Sequence, residues 1–396
     1  MIRSALHWHL DPFQKAHNQM NKKRVLIIYR SYFPSTSHLG PATAIRNLVN
    51  NMSTEYQFHI LTLNFEFATG APLFNDAVHV EEMDNVCVEY IPRGLAGLRI
   101  LLKRLKENYD VVDIQCAFDP LLAIPALILC RLGFSRRSRV FHTPHGIFMD
   151  VIMSASWLRK RAFCLLSDAV GLYRNVTHLA GSPGEETDIR RNHLRKQDIQ
   201  VVSQFVESIP ANPARRTKLS NQLRIAFVGR VTVQKNLIFA IRILRDLNIP
   251  WTMSVFGDIS DQAYYATCKK MIQDELGDSQ ITFLGGIEKG LLFAQLTEYD
   301  ILLHPTLGEN FGHSIVEALS LGVPVLISDR APWTNVETFN AGWSLPLTQP
   351  QMFVDRLQGI YAMGAEWSSL SDGALRYARG TFDRTKTTSR YRAAYG

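Results

Sequence analysis

Short apolar runs alternate with longer helical patterns along the whole chain, and this alternation constrains the fold more than any other feature. A β-branched run followed by a helix-length segment is typical of a βαβ unit. The first half predicts seven strands, near Val25–Tyr29, Phe58–Leu63, Val86–Ile91, Val111–Ile114, Val140–His142, Val176–Ala180 and Gln200–Val202. The second half predicts five, near Ile225–Val228, Met253–Phe256, Ile281–Leu284, Ile301–His304 and Val323–Ile327. The predicted fold class is therefore α/β with parallel sheets.

Residues 208–222 separate the two series of strands and are rich in proline, asparagine and charge but poor in apolar side chains. Such a composition is typical of a linker between domains. The strand pattern therefore predicts two doubly wound, Rossmann-like domains, an N-terminal one at residues 22–207 and a C-terminal one at 223–375. Since ligands of such sheets bind at the carboxyl ends of the strands, we expect the site in a central cleft between two facing domains.

The composition favours a globular protein of a reducing compartment. Hydrophobic residues make up 46% and charged residues 20% of the chain, which excludes an intrinsically disordered protein. The five cysteines include no Cys-x-x-Cys pair, so neither a zinc nor a redox site is predicted. Residues 1–21, predicted to be a disordered extension, lack the apolar core of a signal peptide. The longest apolar stretch, Leu121–Leu132, is too short to cross a bilayer. We therefore expect a cytoplasmic protein, with no nucleic-acid partner.

The most informative segment is HPTLGENFGHSIVEALSLGVPVLISDRAP, residues 304–332. It predicts a strand, a loop, a helix and a second strand, with Gly312 at the start of the helix. The free amides and positive dipole end of a helix start suit a phosphate group. Glu317 in the helix could reach ribose hydroxyls beside such a phosphate, and Glu309 in the loop could reach hydroxyls of an attached sugar. The segment therefore favours a site for a sugar phosphate.

Structural explanations compete with this interpretation. Ser314 and Glu317 have the spacing of a capping box, so Glu317 alone could serve only to start a helix. Glu309 alone could be an ordinary solvated loop charge. These alternatives remain open for each residue taken singly.

A second segment, FVGRVTVQKN at residues 227–236, supplies the positive charge that such a site needs. Arg230 and Lys235 follow the first predicted strand of the C-terminal domain, where an anion would bind. Each charge-assisted contact could contribute about 1.5 to 3 kcal/mol, and a diphosphate could engage both cations. The alternative is that both are ordinary solvated loop cations.

Together the two segments spell Gly-Arg-x4-Lys followed by PT-x2-ENFG-x4-EAL-x2-GVPV, which resembles the retaining glycosyltransferases of family four, enzymes with the two-domain GT-B fold. The resemblance implies that Arg230 and Lys235 bind the donor diphosphate, that Glu309 binds the donor sugar, and that Glu317 binds the nucleotide ribose. It also implies donor contacts at the ENFG segment, which contains Asn310, Phe311 and Gly312. The ENFG form followed by Ala-Pro-Trp resembles enzymes of bacterial surface-polysaccharide assembly.

The resemblance extends less strictly over most of the chain. It places the nucleotide base near Gly257, Leu284 and Gly285, although these are equally well explained as turn residues. Gly40 matches a loop that faces the diphosphate, although many members of the family carry two adjacent glycines there. His145, in a His-Thr-Pro-His-Gly motif at the end of a predicted strand, matches a histidine beside the reaction centre, whereas His142 is expected to pack. Residues 376–396 match a helix that crosses back onto the N-terminal domain.

The N-terminal domain also carries a local excess of positive charge. Between Arg93 and Arg161 there are twelve Lys or Arg and five Asp or Glu. Five leucines (Leu95, Leu98, Leu101, Leu102 and Leu105) are predicted to share one face of a basic helix, a pattern that can bind an anionic membrane surface. A sheet-covering helix with a solvated face explains the pattern equally well. A lipid-linked acceptor would fit an enzyme at the inner face of the cell membrane.

These inferences predict an N-terminal acceptor domain and a C-terminal donor domain, which transfer a hexose-type unit from a nucleoside diphosphate sugar to a saccharide or lipid-linked saccharide. No Asp-x-Asp occurs, so we expect a reaction without metal or cofactor, in which His145 and Glu309 act at the reaction centre. A sugar-nucleotide epimerase and a non-catalytic nucleotide-sugar-binding protein are the alternatives. A dehydrogenase is disfavoured because no G-x-G-x-x-G follows the first strand.

Overall fold

A computed structural model describes residues 22–35, 39–67, 69–206, 221–276 and 280–396. The N-terminal domain is built on one sheet, whose strands run in the order β3-β4-β2-β1-β5-β6-β7-β8. Its strands are β1 (Lys23–Ile28), β2 (Tyr56–Leu63), β3 (His79–Met83), β4 (Val86–Ile91), β5 (Val111–Gln115), β6 (Arg139–Thr143), β7 (Val176–Ala180) and β8 (Asp198–Val201). Neighbouring strands pair in parallel except β3, which runs antiparallel to β4.

Helices cover both faces of this sheet, because its central strands are apolar on both sides. The helices of the described part of this domain are α1 (Leu39–Met52), α2 (Leu95–Leu105), α3 (Ala123–Arg131), α4 (Asp150–Ser154), α5 (Trp157–Val170) and α6 (Pro183–Asn192). The two largest buried clusters of aliphatic and aromatic side chains in this domain lie one on each face of the sheet, and a smaller third cluster includes Phe148 and Cys164.

The C-terminal domain repeats the architecture with a smaller parallel sheet in the order β11-β10-β9-β12-β13-β14. Its strands are β9 (Leu223–Val228), β10 (Trp251–Phe256), β11 (Ile281–Gly285), β12 (Ile301–His304), β13 (Val325–Ser328) and β14 (Gly342–Leu345). Its helices are α7 (Leu237–Arg245), α8 (Gln262–Glu275), α9 (Lys289–Leu296), α10 (His313–Ser320), α11 (Pro350–Ala362) and α12 (Trp367–Thr381). The predicted α/β class with two doubly wound sheets is confirmed.

The predicted strand lists were each one strand short of what the described residues form. β3 was missed because it is a mostly exposed edge strand that contains two glutamates, so it lacks the apolar signal of a buried strand. β14 was missed because it has only four residues and begins at Gly342. The strand predicted at Val323–Ile327 begins two residues later, at Val325.

The last helix, α13 (Arg384–Tyr395), packs against the N-terminal domain rather than the domain that precedes it. The Tyr395 hydroxyl donates a hydrogen bond to the buried Asp113 carboxylate at 2.7 Å, and the Tyr391 ring stacks on Phe205. The end of the chain therefore ties the two domains together. The predicted extension at residues 1–21 lies outside the described residues, as does the predicted linker at 208–222 except for its last two residues.

Helix α2 does not present its five leucines as one exposed face. Leu101 and Leu105 are buried in the core against the sheet, whereas Leu95 and Leu98 are exposed. Arg104 is held by ion pairs to Glu89 and Glu107. The helix therefore covers the sheet, and only its first turn leaves leucines exposed. No helix of the described residues has both the length and the apolar character needed to span a membrane.

Candidate active site

A cavity of about 650 Å³ lies between the two domains, at the carboxyl ends of strands from both sheets. This volume is in the range of sites that hold small molecules. The cavity brings together eight of the residues that the sequence predicts for a donor site: Gly40, His145, Arg230, Lys235, Glu309, Asn310, Phe311 and Gly312. Glu317 also lines it, although this glutamate is largely buried. The cavity therefore gathers side chains from segments that lie far apart in the sequence.

Helix α10 starts at the cavity wall. Gly312 precedes its first residue with φ 74°, in the left-handed region that favours glycine, and no side chain caps the helix. Ser314 lies inside the helix and is not its N-cap, so the capping-box explanation of Glu317 is wrong. Gly312, His313 and Ser314 all line the cavity. The helix start therefore presents backbone donors and a positive dipole end to the cavity.

A triad of Lys235, Glu309 and His304 lies beside this helix start. Lys235, at the end of a 3-10 turn at Val233–Lys235, forms an ion pair with Glu309. The buried His304 lies with its Nε2 at 3.2 Å from the Glu309 carboxylate, so its N–H donates to this acceptor. Burial would raise the pKa of Glu309, but the Lys235 charge and the hydrogen bond from His304 hold it well below the usual range. Glu309 is therefore an ionised acceptor in a partly desolvated setting.

The remaining donor-side residues frame the triad. Arg230 is exposed at the cavity wall next to Gly229, whose backbone lies against the Lys235 side chain. The carbonyl oxygen of Phe311 accepts a hydrogen bond from the Trp333 indole at 2.5 Å, which fixes the loop that leads into α10. Two cations, a carboxylate and a helix start therefore surround one part of the cavity.

His145 lies on the opposite wall, in the loop after β6. Its Nε2 is 2.6 Å from the Gln115 amide oxygen, and the Gln204 amide nitrogen is 3.4 Å from its Nδ1. This arrangement fits a neutral imidazole with the proton on Nε2, since an amide oxygen accepts and an amide nitrogen donates. Burial lowers the pKa of His145 to about 4, which also favours the neutral form. His142 packs in the domain interior, as expected, where it contacts His178.

A buried glutamate holds the loop that carries His145. The carboxylate of Glu185, near the start of α6, accepts hydrogen bonds from the backbone amides of Gly146 and Gly181. It is also hydrogen-bonded to Asn310, which belongs to the other domain. Burial raises the pKa of Glu185 to about 7, although the amide hydrogen bonds act in the opposite direction. Glu185 therefore links the His145 loop to the donor-side loop.

Gly146 makes this approach of the two domains possible. A Cβ atom at this position would lie 2.6 Å from the Cβ of Asn310, and the residue has φ 76°. Both observations require glycine. The Gly that follows His145 in the sequence motif therefore has a structural role at the interface between the domains.

The three residues predicted near the nucleotide base do not line this cavity. Gly257 has a packing explanation, since a Cβ atom there would lie 2.2 Å from the Gly229 carbonyl oxygen. Leu284 is exposed, and a Cβ atom at Gly285 would meet open space. Their assignment to the base stays a prediction.

Sequence reasoning missed four residues of the site, namely Gln115, Gln204, Glu185 and His304. Gln115 and His304 each end a buried strand, so a polar residue at that position was an available signal. Glu185 follows Ser182 by three residues, which the sequence could only present as a capping pair. Gln204 lies after the last strand of its sheet and had no recognisable signal.

Residues 208–370 match the family model described as glycosyl transferases group 1. The matched residues include most of the C-terminal domain. They contain both the segment of Arg230 and Lys235 and the segment from Glu309 to Glu317.

Two relatives match a little more than half of the chain. One is a protein of Klebsiella pneumoniae described as an uncharacterized 41.2 kDa protein in the cps region, 24% identical over 241 residues. The other is an uncharacterized glycosyltransferase of Methanocaldococcus jannaschii, 21% identical over 232 residues. The matches cover 59% and 56% of this chain and 64% and 58% of the relatives, just under two thirds of their length.

Solved structures match almost the entire chain. HepE of Anabaena, in complex with UDP-glucose, has a TM-score of 0.72 at 17% identity and covers 94% of this chain and 98% of its own. Sucrose-phosphate synthase of Thermosynechococcus elongatus has a TM-score of 0.72 at 16% identity, with 94% and 99% covered. At this identity the likeness shows the fold alone. The chain has the two-domain GT-B fold.

Proposed function

We propose that this protein is a glycosyltransferase that moves a sugar from a nucleoside diphosphate sugar to an acceptor hydroxyl. The observation that carries the proposal is the composition of the C-terminal wall. An uncapped helix start, Arg230, Lys235 and the ionised Glu309 line one cavity, opposite His145. Cations and helix amides suit a diphosphate, whereas an ionised carboxylate suits the hydroxyls of a sugar. The UDP-glucose in HepE, a protein of similar fold, supports a donor of this class.

Each group has a distinct role in this proposal. Arg230, Lys235 and the amides near Gly312 bind the diphosphate and stabilise the charge that develops when it leaves. Glu309 accepts hydrogen bonds from the donor sugar, while Glu317 binds the ribose. The Lys235–Glu309 ion pair keeps both charges compensated, and both groups turn to the donor when it binds. Asn310, Phe311 and Gly40 complete the walls around the sugar and the phosphates.

We propose further that the configuration of the donor is retained. Glu309 is engaged by Lys235 and His304 on the diphosphate side, which does not suit a nucleophile on the opposite face of the sugar. The acceptor would then attack on the face from which the phosphate departs, and a phosphate oxygen would take its proton. A neutral His145 would help to position the sugar, without forming a covalent bond.

The same proposal assigns charge stabilisation to the protein rather than to a divalent metal. Arg230, Lys235 and the start of α10 supply positive charge at fixed positions beside the expected diphosphate. The acceptor is proposed to be a saccharide or a lipid-linked saccharide of bacterial surface-polysaccharide assembly. The similarity to the cps-region protein of Klebsiella pneumoniae supports this assignment.

The test is to incubate the protein with a panel of nucleotide sugars and saccharide acceptors and to analyse the products by mass spectrometry. Transfer should give an acceptor enlarged by one sugar together with a free nucleoside diphosphate. An epimerase would instead change the sugar without consuming an acceptor, and a binding protein would give no product. Once a donor is identified, full activity in EDTA and an α-linked product by NMR are expected. Strict dependence on manganese, or a β-linked product from an α-donor, would refute the metal-independent, retaining mechanism.

A further inference from the structure

Helix α5 carries exposed apolar side chains on its outward face, although Phe163 and Cys164 pack inward. Leu158 and Leu166 lie about two turns apart on this face, and Val170 lies one turn beyond Leu166. These three side chains are 74%, 65% and 63% exposed. On the opposite face Ser167 and Asp168 are buried. A helix that covers a sheet normally shows the reverse pattern.

The buried polar face fixes this orientation. The Asp168 carboxylate lies 2.9 Å from His193 Nδ1 and accepts a hydrogen bond from the Leu194 amide at 2.6 Å. The Ser167 hydroxyl donates to the Cys164 carbonyl oxygen at 2.8 Å. Rotation of the helix to bury its leucines would break the bonds of Asp168 to His193 and Leu194 and expose this carboxylate, so the outward apolar face is built into the packing of the domain.

The exposed face continues beyond the helix. Leu132, at the end of α3, and Leu194, after α6, are also largely exposed. Both adjoin arginines that contact the end of α5, since Arg131 donates to the Gly171 carbonyl oxygen and Arg195 to the Ala169 carbonyl oxygen. We call this surface the apolar face; it consists of Leu132, Leu158, Leu165, Leu166, Val170 and Leu194.

Positive charge flanks the apolar face at both ends. Arg159 is exposed near the start of α5, and the exposed Arg131, Arg174 and Arg195 lie around its end at Gly171. The single acidic residue of α5, Asp168, is buried. An apolar surface with a cationic border is complementary to a bilayer that contains anionic lipid. A second copy of the chain fits less well, because a two-fold interface would bring the same cations together.

We propose that the apolar face of α5 docks the protein on an anionic membrane surface. The start of α5 borders the cavity, because Lys160 of α5 and Ile152 of the preceding helix α4 form part of its lining. Docking through this face would therefore bring the mouth of the cavity close to the lipid headgroups. Such docking favours a lipid-linked saccharide as the acceptor, an assignment that rests on the proposed function. It also moves the membrane contact from α2, where the sequence suggested it, to α5.

The experiment is flotation of the full chain with vesicles of phosphatidylcholine alone and with vesicles that also contain phosphatidylglycerol. Wild type should bind the anionic vesicles, and raised salt should weaken that binding. The variant Leu158→Gln/Leu166→Gln/Val170→Gln should bind roughly a hundred-fold more weakly, because three aliphatic side chains no longer enter the bilayer. Arg159→Gln/Arg174→Gln should lower binding to anionic vesicles and its salt dependence.

The matched control is Leu95→Gln/Leu98→Gln, which removes the exposed leucines of α2 and should leave binding unchanged. Nucleoside diphosphate affinity, measured by calorimetry, should equal that of wild type in every variant and so shows that each is folded. The proposal is overturned if wild type binds neither vesicle, or if the α2 variant loses binding and the α5 variant keeps it. It is equally overturned if sedimentation shows a dimer that the α5 variant converts to monomers. Vesicle binding needs no donor, so its failure leaves the proposed transfer activity to be judged separately.

Discussion

The C-terminal wall of the cleft holds ionised groups, Lys235 and Glu309, whereas the N-terminal wall holds a neutral imidazole, His145, between two glutamines. Burial acts on both walls, but with different results. On the C-terminal wall the ion pair overcomes burial and keeps Glu309 charged. On the N-terminal wall burial lowers the pKa of His145, and its neighbours Gln115 and Gln204 carry no charge that would oppose this effect. Under the proposed function, ionised groups would therefore bind the donor, whereas a neutral imidazole would lie at the reaction centre.

The largest effect is expected on the charged wall. Arg230→Ala/Lys235→Ala removes two charge-assisted contacts of about 1.5 to 3 kcal/mol each, so nucleoside diphosphate affinity should fall by roughly a hundred-fold or more. Calorimetry measures this change. The control is Lys270→Ala, which removes an exposed cation of α8 outside the cavity. Unchanged affinity in the double variant would show that the diphosphate site lies elsewhere.

The neutral wall should affect turnover rather than nucleotide binding. His145→Ala should lower kcat by roughly a hundred-fold, because a side chain that positions the sugar at the reaction centre is lost, while nucleoside diphosphate affinity changes little. Gln115→Glu sharpens the comparison, since a carboxylate beside Nε2 favours the imidazolium and should also lower kcat. Steady-state kinetics and calorimetry together separate the two effects. A His145→Ala variant that loses nucleotide affinity but keeps kcat would contradict this division of roles.

Glu185, which links the His145 loop to Asn310 of the opposite wall, should make the free energy of unfolding depend on pH. Its pKa is raised from 4.5 to about 7 in the folded chain, so between these values the folded state keeps a proton that the unfolded state has released. The contribution of Glu185 is therefore full below pH 4.5 and is lost as the pH rises through 7, a change of about 3 kcal/mol. Glu185→Gln should remove this part of the pH dependence in urea unfolding at pH 5 and 7.5.

The matched control is Glu186→Gln, one residue further along α6, where the side chain instead forms a surface ion pair with Arg190. That variant should keep the pH dependence of wild type. Equal slopes in wild type and Glu185→Gln would mean that the buried carboxylate titrates in its ordinary range.

The smallest expected effect is on the free energy of unfolding, and it concerns the helix starts of the two walls. Ser182 caps α6, where its hydroxyl accepts from the Glu185 amide at 3.2 Å, so Ser182→Ala should lower the free energy of unfolding by about 1 kcal/mol. Ser314 lies within α10 and is no cap, so Ser314→Ala should change it by less than about 0.5 kcal/mol. Urea denaturation compares them. A larger loss at Ser314 would restore the capping-box explanation.

Part of the C-terminal wall could be predicted because its residues are local in sequence. Glu309 and Glu317 lie in one loop and helix, and Gly312 marks the turn between them, so spacing alone brings them together. The partners that set their charge could not be predicted in the same way. The hydrogen bond between His304 and Glu309 depends on loop geometry, and the contact from Glu185 to Asn310 joins residues 125 positions apart (310 − 185 = 125).

The outward apolar face of α5 could not be predicted from the sequence for a related physical reason. Its sequence contains leucines and polar residues in a helical pattern, and the pattern alone does not say which side faces the core. The orientation is decided by Asp168, whose partners His193 and Leu194 come from the end of the next helix. The basic helix α2 had the clearer sequence signal, yet Leu101 and Leu105 pack against the sheet.

The most direct test of the account is a crystal structure with a nucleoside diphosphate bound. The account predicts phosphates at the start of α10, within hydrogen-bond distance of Arg230 and Lys235, with the ribose hydroxyls at Glu317. His145 should lie across the cleft, on the side where the sugar would be. An ordered nucleotide whose phosphates contact neither cation nor the amides near Gly312 would contradict the proposed donor site.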